Sequence, residues 1–156
     1  MHTVSQLIEN KKHWNEGDHG THRIERVHTI AQSATVLDAA LLMNENHVGS
    51  LVVVDTLGEI VGIFTERDIL TRVVVTQRCP MGTLVGDVMT REIVHCQPSC
   101  SLCDVRQMMT QRRIRHLPVI HKDELIGMIS IGDLNAASNA DLSIEVEAMR
   151  EYITSS

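Results

Sequence analysis

One pattern is written twice along this chain, and that duplication constrains the fold more than any local feature does. Thr35 to Val54 overlays Ser101 to Ile120 at an offset of 66, and Gly58 to Leu70 overlays Asp123 to Asn135 at 65, with 7 identities in 33 pairs. Identity alone proves little. The order of events is what persuades: a helical stretch, a short β-branched run, a polar turn, a second apolar run ending in Gly, then Thr or Ser and Asp. Self-similarity at a fixed period marks a repeat architecture, so it is tested before any local assignment.

In the first copy Val36, Ala39, Ala40 and Met43 fall at i, i+3, i+4 and i+7, one face of a helix. LVVVD and GEIVGIF then read as two strands joined by a tight turn, and TERDILTRVV as a second helix. The second copy repeats this with SLCDVRQMMTQRRIRH, LPVI, ELIGMI and SIGDLNAAS. With the short apolar stretches Val27 to Ile30 and Glu92 to His95 counted as strands, each unit reads β-α-β-β-α. A unit of about 60 residues buries its sheet face poorly alone, so the two copies are expected to pair.

These readings place a first unit over 1–76, a linker over 77–83 with Pro80 and Gly82, a second unit over 84–138 and a C-terminal helix over 139–156. LVGDVMT precedes the second copy and VSQLIEN resembles it near the start. The first copy carries an extra polar, His-bearing insertion at about 10–26. The tail spaces Ile144, Val146, Met149 and Ile153 as a partly apolar helix.

Composition narrows the function. The formal charge is −6 and aromatics supply 2% of the 156 residues, so neither a phosphate-tracking groove nor a base-stacking platform is available, and no nucleic-acid partner is expected. No apolar stretch approaches the roughly 20 residues that cross a bilayer, and the first residues lack a secretory signal, so a cytoplasmic, membrane-free location is expected.

The words VGSLVVVD, GEIVGIFTERD, VGDVMT, IRHLPVI and ELIGMISIGD, in this order and duplicated, resemble the CBS domain, named for cystathionine β-synthase. The resemblance covers about Val4 to Ser138, and the tandem is similar to a stand-alone Bateman module. It implies an α/β (α+β) fold of two β-α-β-β-α repeats related by pseudo-twofold symmetry, with two clefts that accept adenosine-containing ligands: AMP, ADP, ATP, S-adenosylmethionine or a dinucleotide such as NADH. It also implies regulatory sensing rather than catalysis, and a disc-like homodimer. With no effector domain in view, output to an unknown regulated protein is expected to act in trans.

Candidate site residues follow from both readings. Thr65-x-x-Asp68 and Ser130-x-x-Asp133 match a helix capping box, which satisfies backbone amides without any ligand. The resemblance adds that Asp68 and Asp133 accept ribose hydroxyls, with Thr65 and Ser130 turned toward a phosphate. Thr35-x-x-Asp38 and Ser101-x-x-Asp104 match the capping pattern too, and are read as caps alone. Arg112 and Arg113 suit a helix C-terminus. Arg115 and His116 open a strand instead, and the resemblance points them into the cleft, where a forked, permanently charged guanidinium suits phosphate. Gly49 and Ser50 stand at the matching positions without charge, so the Arg115 side is expected to prefer a phosphorylated ligand more strongly. Arg67 is read either as a compensating charge or as a surface residue, Gly49 as steric room, and Ile30 as one apolar wall of an adenine pocket.

Cys96-x3-Cys100-x2-Cys103 has the spacing of radical S-adenosylmethionine enzymes, which hold an iron–sulfur cluster on three thiolates. Against that, the three align with Ile30, Ala34 and Leu37 of the first copy, all apolar or small, and read as packed thiols. His13, His19, His22 and His28 lack metal-site spacing. No Walker A, GxGxxG or GxSxG sequence occurs, so no catalytic residue, resident cofactor or metal is assigned. The leading expectation is thus an adenine-nucleotide sensor. Its rivals are a thiol or iron–sulfur redox protein on the Cys triplet, and a ligand-free structural dimerisation module.

Overall fold

The computed structural model describes residues 3–14 and 27–154. Among these, residues 27–94 form one compact unit, and 3–14 with 95–154 form the other. The helix that precedes the first repeat in sequence therefore packs with the second repeat, while the segment that precedes the second repeat packs with the first.

The first-repeat unit runs β1 (Thr29–Ala31), α2 (Val36–Asn46), β2 (Ser50–Val54), β3 (Ile60–Thr65), α3 (Glu66–Ile69) continuing into a π-helical turn (Leu70–Val74), and α4 (Val85–Val88). Its sheet has the order β1-β2-β3, with β1 parallel and β3 antiparallel to β2. β2 is central, which is why LVVV reads as a continuous apolar run rather than an alternating one. Leu51, Val53 and Phe64 meet Val36, Ala39 and Met43 of α2, Val73, and Val85, Val88 and Met89 in one core.

Helix α2 begins where Thr35 forms a complete capping box with Asp38. The carbonyls of Thr83 and Pro80 take the next two amides, Val36 N (2.9 Å) and Leu37 N (3.1 Å), so the expected linker itself closes the helix start. Asp38 is held below the usual carboxylate range by the Thr35 hydroxyl and then by the Thr35 backbone N–H, with a small opposing effect of desolvation. The helix ends at His47 in the left-handed region.

The second-repeat unit contains α1 (Val4–Trp14), α5 (Leu102–Arg112), β4 (His116–His121), β5 (Glu124–Ser130) and α6 (Ile131–Thr154). Ser101 caps α5, and Arg113 ends it in the same left-handed conformation as His47. The expected strands were Val27 to Ile30 and Glu92 to His95. The first forms at Thr29–Ala31, whereas the second contracts to a single parallel bridge, Cys96 with Val119.

The reason is chemical. In the first repeat Val52 N donates to His28 O (3.0 Å) and Gln32 N to Val54 O (2.9 Å). The residues matching Val52 and Gln32 are Pro118 and Pro98, which have no N–H to give. Only the two bonds at Cys96 survive, from its N to Pro118 O and from Ile120 N to its O, both 3.0 Å.

The two leading segments dock alike. Val85 N donates to Ala34 O and Gly86 N to Gln32 O; Val4 N donates to Cys100 O and Ser5 N to Pro98 O. Val85 and Val4 are fully buried. This also explains the Gly that ends each apolar run. A Cβ at Gly62 would stand 2.6 Å from Met89 Sδ and 2.8 Å from Thr90 O, and one at Gly127 would stand 3.0 Å from Ile8 Cδ1. Each glycine makes room for the docked segment.

The expected second helix and C-terminal helix are one continuous helix, α6, of 24 residues. Arg106 of α5 holds it by donating to Leu134 O (2.9 Å), Ser138 Oγ (3.0 Å) and Asn135 Oδ1 (3.1 Å). Within the polar insertion, α1 extends through 10–14, and His19 and His22 lie outside the described residues.

Candidate functional site

Each repeat gathers its candidate residues at one corner, where its penultimate strand starts and its last strand ends. In the first repeat Ser50 pairs with Thr65 across the β2–β3 ladder, and Glu66 N donates to Gly49 O (3.1 Å). In the second, His116 pairs with Ser130, and Ile131 N donates to Arg115 O (2.9 Å). Gly49, Ser50, Thr65 and Asp68 thus meet in one unit, and Arg115, His116, Ser130 and Asp133 in the other.

Both corners build the same capping box. Asp68 Oδ2 accepts from Thr65 N (2.9 Å) and Thr65 Oγ1 (3.1 Å), while Asp68 N donates to that hydroxyl (3.3 Å). Asp133 Oδ2 accepts from Ser130 N (2.6 Å) and Ser130 Oγ (2.8 Å), and Asp133 N donates to Ser130 Oγ (3.2 Å). The Thr or Ser hydroxyl orients the carboxylate and starts the helix at once.

Beyond the box the corners diverge. Asp68 is only 6% exposed, and its Oδ1 accepts from Thr90 Oγ1 (3.1 Å) and lies 3.6 Å from Arg72 Nη1. Asp133 is half-buried. Arg115 is exposed and His116 half-buried, whereas Ser50, at the position of His116, is buried. The second corner therefore offers a guanidinium, an imidazole, a hydroxyl and a carboxylate at the start of a long helix, whose N-terminal end favours negative charge. The first offers no cation at the Gly49–Ser50 positions. Arg67 is exposed in the first turn of α3, beside Thr65 and Asp68 in sequence. Ile30 is packed into the core with Val53 and Phe64, so its main role is structural.

Sequence reasoning missed Arg72 and Thr90. Arg72 stands four residues after Asp68, an i,i+4 acid–base spacing that could have flagged it. Thr90 is 22 residues away, and no local pattern connects it to Asp68.

The cysteines do not assemble. Cys96 is buried, Cys100 half-buried and Cys103 exposed on α5, and among the described residues no three His, Cys, Asp or Glu side chains are grouped to hold a metal ion. Burial pushes the Cys96 thiol up from 9.0 to about 12, with the neighbouring Cys100 adding to the effect. A thiol kept protonated in this way is a core residue rather than a ligand or nucleophile. This geometry speaks against the cluster reading.

Two units of mixed helix and strand, duplicated down to their caps, bulges and docked leading segments, define a tandem α+β repeat module. The family model for the CBS domain matches residues 23–75 and 85–139, and the chain belongs to that family, as a CBS pair. It is 41% identical over 124 residues to the CBS domain-containing protein CBSX3, mitochondrial, of Arabidopsis thaliana, covering 76% of this chain and 60% of that relative's length. A solved structure of a CBS-domain protein from Burkholderia ambifaria superposes with a TM-score of 0.80 at 38% identity, covering 90% of this chain and 96% of that one. A hexameric CBS-CP12 protein from bloom-forming cyanobacteria matches with a TM-score of 0.68 at 34% identity, covering 81% and 78%. No helix among the described residues is long and apolar enough to cross a membrane.

Proposed function

We propose that this CBS pair is a regulatory module, not an enzyme, that binds an adenosyl ligand and passes occupancy to a partner protein. AMP, ADP and ATP are the favoured ligands, ahead of S-adenosylmethionine and NADH. The observation that carries the reading is the second-repeat corner, where Arg115, His116, Ser130 and Asp133 converge on one strand end. A carboxylate there accepts ribose hydroxyls, while the guanidinium and imidazole balance phosphate charge. Binding changes a regulated state only through differential affinity for two conformations, so the partner senses a population shift.

Self-association belongs to the same proposal. Leu37 and Leu41, one turn apart on α2, and Leu70 and Val74 in the π-helical turn are exposed apolar side chains, a pattern typical of surfaces that bind protein. A hexameric structural neighbour lends support to assembly. Sedimentation of the free protein is expected to give a homodimer.

Calorimetry with AMP, ADP, ATP, S-adenosylmethionine and NADH tests the ligand. A hydrogen bond to a charged group is worth about 1.5–3 kcal/mol, so Arg115→Ala or Asp133→Ala should weaken binding by roughly 10- to 100-fold. Unchanged affinity in both variants would remove the site assignment. Silence toward every nucleotide in the unaltered protein would leave a purely structural module.

A further inference from the structure

In the first repeat the motif carboxylate is also a fastening point. Arg72 Nη1 donates to Val88 O (3.0 Å) and Met89 O (2.7 Å), the last carbonyls of the α4 segment, while lying 3.6 Å from Asp68 Oδ1. Thr90 Oγ1 donates to the same oxygen, and Thr90 pairs with Ile63 through two backbone bonds, Ile63 N to Thr90 O (2.9 Å) and Thr90 N to Ile63 O (2.8 Å). One carboxylate thereby holds residues 88–90, close before the chain leaves this unit at Val94. At the matching positions of the second repeat, Ala137 stands where Arg72 does and Glu9 where Thr90 does.

We infer that Arg72 and Thr90 form a clasp on Asp68 that ties the ligand-facing carboxylate of the first repeat to the connecting segment, so that a nucleotide drawing on Asp68 must loosen Val85–Thr90. The inference rests on the nucleotide reading above and extends it to regulation. A carboxylate has about four lone-pair positions. Thr65 occupies two on Oδ2 and Thr90 one on Oδ1, with the Arg72 guanidinium paired to Oδ1 by charge at 3.6 Å. One position is left, so the second of two ribose hydroxyls competes with the clasp rather than adding to it. The first corner becomes the weaker, gated site, and its occupancy is reported in the segment joining the repeats.

Two measurements on the full chain decide this. The first is amide hydrogen exchange without ligand. Thr90→Val, which keeps the side chain's shape, and Arg72→Met, which keeps its stem, should each speed exchange at Ile63 and Thr90 about tenfold, the equivalent of about 1.4 kcal/mol. Thermal melting confirms that each variant is folded. Unchanged protection in both variants overturns the clasp.

The second is ATP titration in the Asp133→Ala background, which isolates the Asp68 corner. Adding Thr90→Val should tighten this residual binding about tenfold, and ATP should speed exchange over Val85–Thr90 in the unaltered protein. Equal or weaker residual binding overturns the coupling even if the clasp itself survives the first measurement. If the unaltered protein takes no nucleotide at all, the functional reading and the coupling fall together, and ligand-free exchange then judges the clasp alone.

Discussion

The two repeats share a plan, yet one corner is closed and the other open. Around Asp68 the chain completes a three-stranded sheet, buries the carboxylate and engages both of its oxygens. Around Asp133 it keeps a two-stranded sheet, leaves the carboxylate half-buried and adds two basic side chains at the strand start. The same capping box stands in both repeats, and the side chains around it set how deeply its carboxylate is buried. A motif match alone does not distinguish the two, because the capping box is identical in both.

Four contrasts can break or sharpen this comparison. The largest effect is expected at the paired glycines. Gly62→Ala drives a methyl toward both Met89 Sδ and the Thr90 carbonyl, and backbone cannot step aside as a side chain can. Overpacking of this kind typically costs 1–3 kcal/mol, so a loss of about 3 kcal/mol is expected for Gly62→Ala and about 1 kcal/mol for Gly127→Ala, which meets only the flexible end of Ile8. Denaturant unfolding of the two variants checks the ranking, and equal losses would contradict it.

Next come the carboxylates. Asp68→Ala removes a cap and leaves Thr90 and Arg72 without their buried carboxylate, a loss of about 2 kcal/mol, while Asp133→Ala removes a cap at a half-buried position, about 1 kcal/mol. For ligand affinity the order should reverse, with Asp133→Ala the more damaging. A carboxylate that matters more for binding than for stability marks the open corner.

The pH dependence separates the units further. The unfolded Cys96 thiol ionises near 9.0 while the folded one resists to about 12, so its contribution to stability is complete below pH 9 and is lost as pH rises between those values. Asp38 in the other unit has the opposite sign. Its lowered folded value favours the fold above the ordinary carboxylate pKa of 3.8, and that contribution is lost as pH falls through the folded value. Melting temperatures of Cys96→Ala and Asp38→Asn across pH should flatten the alkaline and acid limbs respectively. At pH 8, alkylation should modify the exposed Cys79 and Cys103 well before Cys96.

The smallest contrast lies in the turns. Lys122 and Asp123 both take positive φ, 49° and 63°, in the two-residue turn between β4 and β5, whereas the β2–β3 turn places Gly58 at its positive-φ position. Asn-Gly is the preferred pair for such a two-residue turn. Lys122→Asn with Asp123→Gly should therefore raise stability by about 0.5–1 kcal/mol, measurable as a small shift of the denaturant midpoint.

The repeat order made the architecture legible before any coordinates, because the β-branched runs, the Gly and the Thr or Ser with Asp recur at nearly constant offset. The helix caps at Thr35, Thr65 and Ser101 were equally readable, since each is a local bond set over four residues. What escaped was non-local. That Thr3–Trp14 packs with the second repeat depends on Val4 meeting Cys100 and Ser5 meeting Pro98 across about 95 residues. The shortened second ladder depends on Pro98 and Pro118, which show their effect only once the strand partners are known. Arg115 and His116 stood out because they lead into a strand, and a role toward a ligand came only with the family resemblance. Thr90 did not stand out, because its partner is distant and its own neighbours give no hint of a carboxylate.

The central claim is that nucleotide engages the open corner first. Backbone amide shifts followed during an ATP titration of the isotope-labelled protein test it residue by residue. The account predicts that Arg115, His116 and Ser130 to Asp133 move at the lowest ATP concentrations, with Thr65 to Asp68 and Val85 to Thr90 following only at higher ones. Early movement confined to the Asp68 corner, or a spectrum that ATP leaves unchanged, would contradict it.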